Sequence, residues 1–233
     1  MLENSSESAT FIENHRQLRM KDFIAFLKHP HEDFKIPAKK FWSVFWVFCL
    51  LFILSIATLL IPTPSIKVDG SDFPVWLAAI LFPVVEESAF RLWMKRKTIN
   101  ILISSIVFSW ILASVFLPDA IPTTTRFILR GLIALAGGGI SLLIKERIVH
   151  ANFAVLFYAS AIIFGFIHIS NYFGNIAGFL QVILLLISLI PKVLSGLFYG
   201  YVRVGYGFWA SVLFHFAHNL PSHLILLLPY LKA

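Results

Sequence analysis

Glu86 and Glu87 stand side by side in FPVWLAAILFPVVEESAFRLWM, a stretch otherwise apolar enough to cross a bilayer, and Arg91 follows four residues after the second. A charged side chain at the bilayer centre costs on the order of 3 kcal/mol on insertion scales. Three in one helix must therefore face protein or water and neutralise one another. Later apolar segments carry His168, His215 and Asn219. A carboxylate in a low-dielectric cavity suits a general base, and imidazole and amide groups suit proton transfer and anion stabilisation.

Spacing divides the labour. Glu87 and Arg91, four apart, share a helical face and can pair. Glu86 points about 100° around the helix, which leaves it as the free, working carboxylate. The plainer alternative is a charge cluster that only holds helices together. In FGFIH, Phe164 lies one turn before His168 and would pack against its ring. Taken alone, His168 reads equally well as a hydrogen-bonded core residue. In HFAHN, His215 and Asn219 share a face. They read as a pair of oxyanion donors, or as a metal ligand with its outer partner. His218, off that face, reads as packing, and His223, after Pro221, as lying at the membrane surface. The run Ala136-Gly137-Gly138-Gly139 reads as a helix-packing patch.

The rest of the chain must position these groups inside a membrane. Of 233 residues, 58% are hydrophobic and only 13% charged, and the mean hydropathy is +0.83. Soluble domains are roughly 25% charged. The single cysteine, Cys49, excludes an internal disulfide and a multi-thiolate metal site. The net charge of +7 does not indicate nucleic acid, because the excess sits beside apolar runs at Lys39–Lys40, Lys95–Lys97 and Lys145–Arg147. That is the positive-inside pattern of an integral membrane protein. No cleavable signal peptide is expected, since the first apolar run is too long for one. There is no HExxH and no GxSxG, and Asp69, Asp72 and Asp119 all fall in loops, which disfavours zincin, serine and aspartyl intramembrane proteases.

About 20 apolar residues cross the hydrocarbon core. That ruler predicts an all-α, polytopic bundle of about eight transmembrane helices. Residues 1–40 form a cytoplasmic arm with an interfacial helix near Met20–Leu27, and residues 41–233 form one membrane-embedded domain. The spans run near Phe41–Ile61, Phe73–Met94, Ile99–Leu117, Phe127–Ile144, Asn152–Ile169, Ile176–Tyr201, Gly207–Leu220 and Ser222–Leu231. Pro83 is expected to restart the second, placing Glu86 in a first turn, and Pro191, with Lys192 beside it, to kink the sixth. Basic residues on alternate connections, Arg203 and Lys232 among them, place both termini in the cytoplasm. On that path Glu86, His168, His215 and Asn219 reach similar depth, as one site requires.

Three motifs in this order, Glu86-Glu87-x-x-x-Arg91, Phe164-x-x-x-His168 and His215-x-x-x-Asn219, resemble the CPBP family. These are the CAAX-protease and bacteriocin-processing intramembrane proteases, also called Abi. The resemblance covers about Phe82 to Leu220. It implies a helical bundle with a conical cavity and an endopeptidase acting at the bacterial plasma membrane. The substrate would be a membrane-associated or lipid-modified (CAAX-type) protein or peptide, and the partners membrane lipid and that substrate, with no nucleic acid. Carried over, Glu86 activates water that His168 helps to hold, and His215 and Asn219 stabilise the oxyanion. Glu87, Arg91 and Phe164 support them. The resemblance leaves open a metal-dependent variant in which Glu86, His168 and His215 bind zinc. The family usually has roughly one helical hairpin between its first two motifs; this chain has room for two more spans. Two readings of other classes stay in view, a proton-coupled transporter and a catalytically silent scaffold.

Overall fold

The computed structural model describes residues 20–58, 75–169 and 178–227, and every regular element among them is helical. Residues 20–28 form α1. Then come α2 (Phe41–Thr58), α3 (Val75–Arg91), α4 (Thr98–Phe116), α5 (Thr123–Leu143), α6 (Lys145–His150), α7 (Phe153–Ile167), α8 (Phe179–Gly205) and α9 (Phe208–Leu227). Four apolar segments, Ala38–Ala57, Thr98–Phe116, Thr123–Leu143 and Phe179–Gly205, are long enough to cross a membrane. The expected all-α bundle is what forms.

Two expectations about the helices fail. The segment expected at Gly207–Leu220 and the start of the one expected at Ser222–Leu231 form one helix, α9, which continues through Pro221 to Leu227; residues 228–231 lie outside the described residues. Likewise α3 runs uninterrupted through Pro83 instead of restarting there, so Glu86 sits in mid-helix. Proline removes one backbone bond and crowds the preceding turn. Helices packed against neighbours absorb that, and Pro83 is fully buried. Pro191 likewise lies within the continuous α8.

The site-bearing helices form one group: α3 packs on α9 and α7, and α8 packs on α7, α9 and α2. The α4–α5 hairpin sits outside it, joined through α4 to α3. Small residues close both seams. A methyl group on Gly138 of α5 would come 2.7 Å from the Ile106 side chain of α4, so the expected packing patch forms at Gly137 and Gly138, while Gly139 faces open space. On the inner seam, a methyl on Gly165 of α7 would come 3.1 Å from the backbone nitrogen of Val193 in α8. Gly207, at φ 108°, ends α8 in the left-handed conformation that glycine adopts without strain. Its N–H donates to the Arg203 carbonyl (3.1 Å), and the chain reverses into α9.

A helix forms where the interfacial one was expected, as α1, and the segment around it belongs to the core. Phe23, Phe26 and Ile36 are buried against Phe157, Phe198 and Tyr201. The Tyr158 hydroxyl donates to the Leu27 carbonyl, and Glu32 pairs with Arg96 at 3.1 Å. Residues 20–37 thus fasten the ends of α7 and α8. Residues 1–19 and the connections at 63–72 and 171–175 lie outside the described residues.

The inner seam yields a contrast of sign. Gly165→Ala forces α7 and α8 apart and is expected to cost about 1–3 kcal/mol by overpacking. Gly139→Ala, which meets open space, is expected to stabilise by up to ~1 kcal/mol through helix propensity. Thermal unfolding of both variants in detergent checks the pair.

Candidate active site

The site is built around Glu87, whose carboxylate has no solvent exposure. Its Oε1 accepts from Arg91 Nη1 at 2.7 Å and from His215 Nδ1 at 2.9 Å. Its Oε2 accepts from the Ser211 hydroxyl at 2.5 Å. Three donors from two helices thus satisfy one buried charge, as a buried ion pair needs if it is to offset desolvation. The expected Glu87–Arg91 pair forms, and it has a further role: Glu87 also holds the His215 imidazole.

Arg91 is equally enclosed. Its guanidinium lies 4.3 Å from the Phe164 ring centroid and 5.4 Å from that of Tyr199, a cation–π setting that is favourable where water is absent. Its Nη2 donates to the Gly196 carbonyl of α8 at 3.4 Å. Arg203, read from sequence as a loop cation, is instead buried at the end of α8. Its Nε donates to the Arg91 carbonyl at 3.0 Å, compensating the carbonyls that a helix end leaves without partners.

These contacts fix His215. Its ring stacks on Tyr199 (centroids 4.5 Å apart, planes 15°) and meets Phe164 edge-on at 5.6 Å. With the Nδ1–H given to Glu87, Nε2 points outward, 3.4 Å from Glu86 Oε2. Glu86 differs from its neighbour as the spacing predicts. Its side chain is 26% exposed, yet Oε2 is buried without a hydrogen-bond partner. Buried polar atoms are overwhelmingly satisfied, so an orphan carboxylate oxygen facing an imidazole nitrogen is a functional signal.

His168 caps the helix that carries it. Asn152 starts α7 by accepting from the Ala154 N–H at 2.9 Å. At the other end His168 Nδ1 donates to the Phe164 carbonyl at 2.8 Å, so in the neutral ring Nε2 is the acceptor. Phe164 packs edge-on against it, centroids 5.0 Å apart, as its spacing anticipated. Glu86, Lys192 and His215 all lie within electrostatic range of this imidazole. Asn219 is half-buried, one turn beyond His215 on α9. His218 packs edge-on among Phe48, Phe52 and Tyr199, the packing role expected of it.

Sequence reading missed three participants. Ser211, one turn before His215, completes the Ser211–His215–Asn219 face, and that spacing was available to find it. Tyr199 carried no signal beyond its place among aromatic neighbours. Lys192, expected only to accompany a kink, lies within electrostatic range of Glu86, His168 and His218. Its signal was a cation in the middle of an apolar 27-residue helix whose other cation, Arg203, lies in the last turn.

The zinc variant requires Glu86, His168 and His215 to converge on one ion. Among the described residues no three His, Cys, Asp or Glu side chains form such a group. Glu87 holds His215 through Nδ1 and leaves Nε2 as the ring nitrogen open to a ligand, the arrangement that an outer carboxylate gives a metal-bound imidazole. Compared with protein-family models, with curated proteins and with solved structures, the chain matches none.

Losing the Arg91 cation strands the Glu87 charge. Arg91→Met is expected to cost about 3–5 kcal/mol, whereas Glu86→Gln, which breaks no hydrogen bond of Oε2, is expected to leave stability nearly unchanged. Unfolding midpoints of the two variants in one detergent test this ordering.

Proposed function

We propose that the protein is an intramembrane endopeptidase of the CPBP type. It hydrolyses a peptide bond in a membrane-associated or lipid-modified protein or peptide. The observation that carries this reading is the buried Glu86 Oε2, which makes no hydrogen bond and faces His215 Nε2 at 3.4 Å. General base catalysis needs a carboxylate within hydrogen-bond reach of a water and of a group that steadies the product anion. Glu86 supplies the first and the His215–Asn219 face the second. The proposed setting is a multi-pass protein of the bacterial plasma membrane with both termini cytoplasmic.

In the proposed reaction, Glu86 Oε2 takes a proton from a water held with the help of His168 Nε2. The hydroxide attacks the carbonyl carbon of the scissile peptide. Negative charge moves to the carbonyl oxygen, where the His215 Nε2–H and the Asn219 amide receive it. His215 donates from Nε2 in the form in which both ring nitrogens carry protons, with its Nδ1–H held by Glu87. The tetrahedral intermediate collapses, the C–N bond breaks, and Glu86 returns its proton to the leaving nitrogen. The products are a carboxylate and an amine. No acyl-enzyme forms, and no step passes through a metal.

Lys192 favours one alternative. A half-buried group of Lys192, Glu86 and His168 is also the composition of a proton relay, and a proton-coupled carrier would show substrate-dependent proton flux in liposomes.

Glu86→Gln and His168→Ala are expected to lower cleavage by about 10²–10⁴-fold, the usual share of acid–base catalysis, while membrane insertion is unaffected. The measurement compares new protein termini in membranes carrying the wild-type protein or a variant. Full cleavage by purified Glu86→Gln would end the proposal. Cleavage is also expected to survive a strong zinc chelator. Loss on chelation and recovery with zinc would overturn the water–glutamate route.

A further inference from the structure

A cavity of about 290 Å³ lies between α3, α4 and α7, one turn beneath Glu86 on the same face of α3. Its walls include Phe90 and Trp93 of α3, Ser105 and Phe108 of α4, and Ala159 and Ile163 of α7. It exists because of how the α4–α5 hairpin docks. α4 packs on α3 and α5, while its packing on α7 is slight at most, so the seam between α4 and α7 is left open.

The walls are dry. Ser104 donates to the Ser88 carbonyl at 2.6 Å, Ser160 to the Phe90 carbonyl at 2.6 Å, and Trp93 Nε1 to the Phe90 carbonyl at 2.7 Å. These polar groups bond into the wall, whereas a water in the cavity would need two to four polar partners. The cavity is also continuous with the outer surface of the bundle: Ile163, one of its walls, is 39% exposed. Along α4 it extends from Ile101 to Phe108, about 10 Å at the helical rise. That is most of one leaflet of a hydrocarbon core about 30 Å thick.

We infer that this cavity binds one acyl chain of a membrane phospholipid, which fills the seam and fastens the α4–α5 hairpin to the site-bearing helices. Dryness, depth and continuity with the lipid-facing surface all fit a chain entering from the bilayer. The inference does not rest on the proposed hydrolase activity.

The experiment uses the full chain in bilayer nanodiscs that contain a phospholipid with a photoactivatable diazirine midway along one acyl chain. Peptide mapping after illumination is expected to find labels concentrated in residues 101–108 and 156–163. Labelling at exposed Leu50 and Ile53 of α2 provides the reference for ordinary lipid contact. Ala159→Trp and Ser105→Phe fill the cavity from opposite walls. Each is expected to reduce cavity labelling several-fold and leave the α2 labels unchanged. Labelling no greater than at α2, or unchanged in both filled variants that still unfold cooperatively, would overturn the inference. So would cavity labelling by a diazirine fatty acid but not by the phospholipid probe.

Discussion

A single buried carboxylate organises the centre of this protein. Glu87 cannot stay ionised in an apolar interior without donors, and it takes them from Arg91 on its own helix and from Ser211 and His215 on α9. Meeting that requirement brings α3 and α9 to one relative depth and rotation. The same contacts orient the His215 ring and direct its second nitrogen toward Glu86. Charge satisfaction and site geometry are therefore one constraint, and the aromatic rings around Arg91 and His215 exclude the water that would otherwise relax it.

Close backbone approach supplies the second layer. Gly165 and Gly196 let α7 and α8 meet at short range, which carries Phe164 against Arg91 and His168 toward Glu86. Outside that group, α4 and α5 form a hairpin with a seam of its own at Gly137 and Gly138. The arm segment from α1 to Ile36 closes the opposite end with Phe26 and Ile36. The hairpin and the arm segment thus attach at the edge of the bundle, and the four helices α3, α7, α8 and α9 hold the candidate site. The open seam beneath Glu86 follows from that peripheral docking.

The departures from the sequence reading share a cause. Proline carried too much weight: Pro83 and Pro221 both lie inside continuous helices, because packing against neighbours outweighs one lost backbone bond. Arg203 was read by its charge as a loop residue, although long-range bonds to the Arg91 and Leu92 carbonyls bury it. Lys192 passed as an incident of a kink because its partners lie on other helices.

The sequence by itself determined the helical class, the apolar segments and the residues with chemistry to offer. Those properties follow from local composition and from the 3.6-residue period, which set Glu87 over Arg91, Phe164 under His168 and His215 in line with Asn219. Only the tertiary structure decided that Glu87 also holds His215, that Tyr199 and Ser211 belong to the site, and that Glu86 keeps an oxygen that makes no hydrogen bond. Contacts between helices depend on relative rotation and depth, quantities that no single segment encodes and that packing of the whole bundle fixes.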